Sequence, residues 1–435
     1  VFEPVDSVDL GLTDSVSLES ADPIGLDWDS FELAGPAPIR TDQVRAELPS
    51  FDRVVVILAS SRSGSSYLFD LLRRTGAFLS LPGEHTPLYR RYRVPVEGTA
   101  GASDARFRHA LRRTVTTGLP ITGASRAHRA AQIVRTLRVQ WGFALTGAER
   151  LAEAALPDRA ADPPTDLCLA LGALRRAGIP INPWYYDLDP ALVRRWFPGL
   201  PRPSGPPARL ATLESSPLLV PRLERSPVGP ELDRPLLLKA TADAYRVSSL
   251  LRIFADAEVE FVQLTRNPAA SINGLIDGWL SPAFFSHRLP GRPLRIAGYS
   301  TEQSWTRSWW NFELPPHWPE LVASPLSQVC CDQWRAAQSA IRQSLQANRL
   351  RPILVRAEQL WDRRTADGQL RRILDQLRLR PQRWPDRRVV MATRPPAPAR
   401  WRHRQHRILP LLADPDTAEL AHWSGYPLDG MAGWT

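Results

Sequence analysis

Val54-Val55-Val56-Ile57-Leu58 is an unbroken aliphatic run, the pattern of a strand covered on both faces of a parallel sheet, and it feeds directly into a Ser/Gly-rich turn. A helix is expected next, with apolar positions at Leu68, Leu71 and Leu72 and a stop at Gly76. The same strand, turn and helix order recurs. Residues 259–264 lead through Thr265-Arg266-Asn267-Pro268 to a helix expected over 269–279, where Asn267 can cap and Pro268 takes the tolerated first position. Residues 352–355 lead through 356–360 to a helix expected near 370–377, and a further strand at 236–238 ends on Lys239. Strands alternating with helices predict an α/β fold, a central parallel sheet flanked by helices, with active groups at the carboxyl ends of the strands.

Between residues 90 and 235 the alternation stops. Helical pieces are expected at 104–117, 128–140, 147–155, 166–177 and 190–196, broken by Pro-rich segments such as 201–207. A simple crossover needs far fewer residues, so this is a large, mainly helical insertion, read either as a substrate-facing lid or as structural elaboration. Two aromatic groups, Trp184-Tyr185-Tyr186 and Trp305, Trp309, Trp310, Phe312 and Trp318, suit either an acceptor pocket or the core. Residues 1–50 are Pro-bearing with weak periodicity and form an irregular N-terminal extension; 51–429 are the folded domain and 430–435 a tail.

The chain has 435 residues, 43% of them apolar, enough for one large core or two smaller ones. No stretch approaches the roughly 20 consecutive apolar residues of a membrane helix. The first 39 residues hold nine carboxylates and no Lys or Arg, unlike a basic-headed signal peptide, so a cytoplasmic location with no integral membrane contact is expected. Three cysteines, Cys168, Cys330 and Cys331, lack metal-ligand or disulfide-framework spacing and read as packing residues, with no metal site indicated.

Net charge is +10, and setting aside the acidic first 39 residues leaves 55 basic against 36 acidic side chains. A basic body attracts polyanions, but the arginines are scattered and no nucleic-acid-binding motif is present, so nucleic acid is not an expected partner. The acidic extension is a docking element for a partner or a shield for the basic body. More telling is that 54 arginines accompany one lysine, Lys239. A position that keeps a compact ammonium where Arg is the rule points to chemistry a guanidinium cannot supply, against the plain reading of a snorkelling lysine.

Ser60-Ser61-Arg62-Ser63-Gly64-Ser65-Ser66 lies where the first strand meets its helix. Backbone N–H groups, the positive helix end, hydroxyls and Arg62 would converge there on an anion, with Gly64 permitting the turn; the plain alternative is an ordinary Ser-rich connection. The Gly-x-x-x-x-Gly-Lys-Ser/Thr pattern is absent. The run from Arg62 to Leu68 resembles the Arg-Ser-Gly-Ser/Thr-Ser/Thr loop of sulfotransferases that use 3′-phosphoadenosine 5′-phosphosulfate, particularly bacterial and Golgi-type branches.

Four further segments extend the resemblance over most of residues 51–429. Phe261-Val-Gln-Leu-Thr-Arg-Asn-Pro268 is similar to the family's second nucleotide segment, whose Arg contacts the 3′-phosphate. Lys239 with residues 250–257 resembles the Lys-bearing strand and the helix after it, and residues 353–360 the Val-Arg-Tyr-Glu-Asp-Leu strand. Arg400-Trp401-Arg402 resembles the Gly-Arg-Trp loop that closes over the nucleotide.

The resemblance implies a P-loop NTPase-like sulfotransferase fold and a phosphosulfate donor held without metal. Ser61, Arg62, Ser63, Gly64, Ser65, Ser66 and Tyr67 would hold the 5′-phosphosulfate, Arg266 and Ser271 the 3′-phosphate, and Arg400 and Trp401 the closing loop. The sequence departs from the pattern at Gly274, where the family has Ser, at Ala357 for Tyr and at Ala399 for Gly.

The acceptor would be a hydroxyl on a small molecule, sugar, lipid or peptide. Glu84, or His85 beside it, is the candidate base, the plain reading of Glu84 being a capping or salt-bridging carboxylate. Lys239 would neutralise charge developing toward the phosphate. Rival readings are a P-loop kinase of a small metabolite and an inactive nucleotide-binding interaction protein.

Overall fold

The computed structural model describes residues 51–434 except 82, 95, 97–100, 117–124, 142–146, 160–162, 180, 187, 204, 206–228, 282–285, 290, 292, 302–303 and 388–396. The extension expected at 1–50 and most of the Pro-rich stretch after residue 203 lie outside the described residues.

Strand β1 (Arg53–Leu58) is followed by α1 (Ser65–Arg74), β2 (Leu79–Ser80) and α2 (Thr86–Arg91). The insertion contributes α3 (Ala102–Thr116), α4 (Arg126–Trp141), α5 (Ala148–Ala155), α6 (Pro163–Arg176) and α7 (Pro190–Trp196). The chain then re-enters the sheet through β3 (Leu236–Lys239), α8 (Val247–Ile253), β4 (Glu258–Thr265) and α9 (Pro268–Trp279). A two-stranded ladder, β5 (His287–Arg288) with β6 (Trp309–Trp310), precedes α10 (Leu326–Ala347), β7 (Ile353–Arg356), α11 (Ala357–Trp361) and α12 (Ala366–Gln376). Helices α13 (Gln405–Leu412) and α14 (Pro415–Trp423) are the last of the described α-helices.

The main sheet has five parallel strands in the order β2-β3-β1-β4-β7. Alternate β1 side chains serve two cores, which is why the run is apolar without a break. Val54, Val56 and Leu58 pack with Leu238, Phe261, Phe107, Leu250 and Ile341, while Val55 and Ile57 pack with Leu68, Leu72, Val262 and Ile373. Each fully buried Val, Ile or Leu contributes roughly 1.5–3 kcal/mol, so this one strand anchors the layers on both faces. Because β3 and β4 flank β1, the connections diverge at its carboxyl end, the position where open α/β sheets bind ligands.

The α/β architecture and the four main strands agree with the sequence pattern, and the expected helical pieces of the insertion correspond to α3 through α7. Helix α10, of 22 residues, has no counterpart in that pattern. Its apolar stripe, Val329, Cys330, Trp334, Ala337, Ile341 and Leu345, is diluted by buried Asp332, Gln333 and Gln338. The insertion divides between two cores. Phe107 and Leu111 of α3 join the sheet core, while α4 to α7 enclose a separate cluster that includes Leu167, Leu171, Tyr185, Tyr186 and Trp309. Both aromatic groups are therefore largely structural: Tyr186, Trp309 and Trp310 are 3%, 3% and 0% exposed. The three cysteines are free and buried.

Candidate active site

The carboxyl ends of the parallel strands carry the candidate residues in a line. Glu84 follows β2, Lys239 ends β3, Ser60 to Ser66 follow β1, Arg266 follows β4 and Glu358 follows β7. Segments more than 250 residues apart in sequence meet because parallel pairing aligns strand termini, Ile57 lying opposite both Lys239 and Val262.

The loop after β1 is held in an unusual backbone shape. Gly64 has φ of 92° and Arg62 has φ of 64°, both left-handed. At Gly64 a Cβ would come 3.0 Å from the Trp361 ring, so conformation and space both require glycine. Arg62, with a side chain in that region, carries strain on the order of 1 kcal/mol or more. Two bonds across to the β4–α9 connection restrain it: Arg266 Nη1 donates to the Arg62 carbonyl at 2.7 Å, and Arg62 Nε donates to the Gly274 carbonyl at 3.3 Å. Inside the loop the Ser60 and Ser63 hydroxyls share a bond of 2.7 Å, and Gln338 of α10 donates to Ser60. Helix α1 has no side-chain cap, no acidic residue in its first turn, and Arg73 and Arg74 in its last. Its N-terminus is left as a positive end facing the loop.

Lys239 lies beside this loop with its side chain 3% exposed. Its Nζ donates to Ser66 Oγ at 3.1 Å and forms an ion pair with Glu84 Oε1. Strand β3 thus carries the chain's single lysine to the first turn of α1, where a compact ammonium, unlike a planar guanidinium fork, meets Ser66 and Glu84. His85 turns away from it into the core. Its Nε2 lies 2.9 Å from both Asp243 Oδ1 and the Tyr89 hydroxyl, and Tyr89 itself donates to Asp243 at 2.7 Å. Asp243 also accepts from the Ala240 N–H, so His85 ties the segment bearing Glu84 to the turn just after Lys239.

On the other side of β1, cationic groups gather. Burial, with Arg266 and Arg400 nearby, lowers the Arg62 guanidinium to about 10, and burial lowers Arg266 to about 10 against the opposing pull of Glu358. Arg266 stacks over Trp361, 4.7 Å from ring centroid to guanidinium carbon. Its Nε and the Ser271 hydroxyl are buried polar atoms with no hydrogen-bond partner among the described residues. Orphaned donors beside two arginines are the expected signature of a place where an anion completes the bonding.

Gly274 has a local reason: a Cβ there would stand 3.3 Å from Arg62 Cβ and 3.4 Å from Arg266 Nη1. The departure from Ser makes room for the Arg62–Arg266 strap. Arg400 pairs with Asp277, as does Arg404 at 2.7 Å, and Arg404 also donates to Asn273 Oδ1 at 2.6 Å. Trp401 is 4% exposed and packs at 6.3 Å from Trp434, so its ring belongs to the core around α9, α10 and α13. The Tyr67 hydroxyl points to the Leu360 carbonyl at 3.5 Å, on the α11 side.

Two residues that no sequence motif singles out also belong here. Glu358 accepts from the Asn267 N–H at 2.9 Å and from the Tyr426 hydroxyl at 2.6 Å, fixing the chain just past Arg266. Glu313 accepts from the Ser61 hydroxyl at 2.7 Å. The only available signal is that Glu358 lies within the segment that resembles a family strand.

No family model matches the chain, and no curated protein does. Among solved structures, a sulfotransferase domain from the curacin biosynthetic pathway is similar at 12% identity and a TM-score of 0.35, over 87% of this chain and 100% of that one.

Proposed function

We propose that this protein is a sulfotransferase that moves the sulfonate of 3′-phosphoadenosine 5′-phosphosulfate to a hydroxyl of an acceptor. The observation that carries this reading is the pairing of two anion-ready places on either side of β1. One is the uncapped α1 terminus with Lys239 bonded to Ser66; the other is Arg62 and Arg266 with the orphaned Ser271 hydroxyl and Arg266 Nε. A donor with a phosphosulfate at one end and a 3′-phosphate at the other carries the two anionic groups that such places would take.

In this reading Ser61, Ser63, Gly64, Ser65 and Ser66 hold the phosphosulfate, and Arg62, Arg266 and Ser271 hold the 3′-phosphate. Arg400 keeps Asp277 neutralised beneath them rather than closing over the nucleotide, and Trp401 supports that region from the core. The donor supplies an activated sulfonate on a phosphate leaving group. Lys239 stabilises negative charge as it grows on the bridging oxygen, an interaction strongest where burial excludes water. The acceptor is a hydroxyl-bearing small molecule, sugar, lipid or peptide. With no lysine elsewhere in the chain, Lys239 has no substitute for this task.

Calorimetric titration with adenosine 3′,5′-bisphosphate in the absence of magnesium tests the reading. Saturable binding that Arg266→Ala weakens supports it. Binding of ATP only with magnesium would move the protein to the kinases, and bisphosphate binding with no sulfated product from a broad hydroxyl panel would make it a nucleotide-binding interaction protein.

A further inference from the structure

Glu313 is built into its position at evident structural expense. Phe312, the residue before it, has φ of 62°, unfavourable for a bulky side chain. Its ring occupies the space that a Cβ on Gly278 would need. The segment is fastened from several directions: Phe312 N–H donates to Ser286 Oγ at 2.8 Å and Asn311 Nδ2 to the Trp279 carbonyl at 3.2 Å. The Glu313 carbonyl accepts from Trp310 Nε1 at 2.9 Å and Gln333 Nε2 at 2.7 Å. What this scaffolding holds in place is a carboxylate against the phosphosulfate loop. Glu313 accepts from Ser61 at 2.7 Å and from the Thr241 hydroxyl, two residues beyond Lys239.

The two carboxylates of the site are therefore differently employed. Glu84 is the counter-charge of Lys239, and a proton placed on it would unpair a buried ammonium. The hydrogen-bond partners of Glu313 are hydroxyls, which tolerate either protonation state. We propose that Glu313, and not Glu84, takes the proton of the acceptor hydroxyl, while Glu84 is the fixed counter-ion that positions Lys239. This rests on the sulfotransferase reading above. Burial, reinforced by the charge of Glu84, raises the Glu313 carboxyl above the ordinary range, against the hydrogen bonds from Thr241 and Ser61. A base works best when its affinity for protons lies near the operating pH. Tyr245 also feels the charge of Glu313: burial first, then that carboxylate, pushes the Tyr245 hydroxyl up.

In the step, the acceptor's proton passes to Glu313 while its oxygen bonds to sulfur. The bond from sulfur to the phosphate oxygen breaks, and its electron pair stays on the 5′-phosphate beside Lys239. Glu313 then returns the proton to solvent, so no oxidant or metal enters the balance.

The test compares wild type, Glu313→Gln, Glu313→Asp and Glu84→Gln. Infrared difference spectra against Glu313→Gln read the protonation of Glu313 directly. Calorimetry with adenosine 3′,5′-bisphosphate across mildly acidic to mildly alkaline pH reads its charge through the anion site. Release of labelled sulfate from the donor, with water as acceptor, reads turnover. Compared with Glu313→Gln, whose pH dependence is that of the nucleotide's own phosphates, wild type should lose affinity as pH rises through the Glu313 value, by about tenfold for each unit by which binding shifts the coupled carboxyl. Glu313→Gln should lack that loss and bind more tightly than wild type at alkaline pH, yet release sulfate on the order of 10²–10⁴-fold more slowly. Glu313→Asp should keep a titrating carboxyl band and part of the turnover. A Glu313 ionised throughout the range, or a Glu313→Gln protein that releases sulfate like wild type, overturns the assignment. Failure of every variant to bind the bisphosphate would instead sink the sulfotransferase reading itself.

Discussion

Replacing Lys239 with Met keeps most of the buried stem and deletes the ammonium, leaving Glu84 facing Ser66 with its charge unmatched. Removing one partner of a buried ion pair costs about 3–5 kcal/mol. Here the lysine side chain is 3% exposed but that of Glu84 is 19% exposed, so water recovers part of the stranded charge. The expected loss is at the low end, about 3 kcal/mol. The double variant Lys239→Met/Glu84→Gln strands nothing and should lose only about 1 kcal/mol, well below the sum of the two single losses, because Glu84→Gln alone strands the more deeply buried ammonium. Urea unfolding of the four proteins at neutral pH gives the cycle directly. High salt should change it little, since a pair this enclosed is poorly screened. Lys239→Arg should not restore stability, because the broader guanidinium lacks room beside Ser66. If the double variant lost as much as the two single variants together, Lys239 and Glu84 would be uncoupled and the assignment of Glu84 as counter-ion would fall.

Arg266→Ala removes a charged donor from the second anion place and frees the Arg62 carbonyl it holds. Bisphosphate binding measured by calorimetry should weaken by about 1.5–3 kcal/mol, roughly 10- to 150-fold. Gly274→Ser restores the residue common in the resembling family yet crowds Arg62 and Arg266, so urea unfolding should show a loss of about 1–3 kcal/mol and calorimetry weaker binding, not stronger. The raised Glu313 carboxyl makes stability depend on pH. The folded protein keeps a proton that the unfolded chain has already released, so this contribution is full below the ordinary Glu range and is lost as pH rises through the folded value. The urea midpoint of Glu313→Gln, measured against wild type, should therefore gain ground with rising pH over that window.

The sheet and its loops were legible because their signals are local. A strand buried on both faces must be apolar throughout, a parallel strand must end in a turn, and Asn267-Pro268 fits a helix start by itself; the Asn267 side chain does accept from the Ala270 N–H at 3.2 Å. Lys239 stood out by composition alone, one ammonium among 54 arginines. Glu313 was illegible for the opposite reason. It lies in irregular chain, and its direction is set by Ser286, Trp279 and Gln333, residues 20 or more positions away whose proximity no local pattern encodes. Helix α10 escaped because three of its buried positions are polar and blur a helical stripe. His85 and Glu84 are neighbours with equal claim to acid–base work in sequence, and only burial against Asp243 and Tyr89 separates them. Trp401 likewise sits in a matching motif, but its ring is spoken for by Trp434.

The alignment of strand ends acts as a ruler. Adjacent strands lie about 4.8 Å apart, so the five termini from β2 to β7 span roughly 19 Å. Groups mounted at opposite ends of that scale cannot touch one another. Chain could be lengthened between β2 and β3, as the helices from α3 to α7 lengthen it here, without moving Arg266 relative to Arg62. On the sulfotransferase proposal, substitutions near Glu84 and Glu313 would bear on the acceptor hydroxyl, and those near Glu358 and Arg266 on the donor. The two halves of the chemistry are free to diverge separately, with β1 as the fixed mark between them.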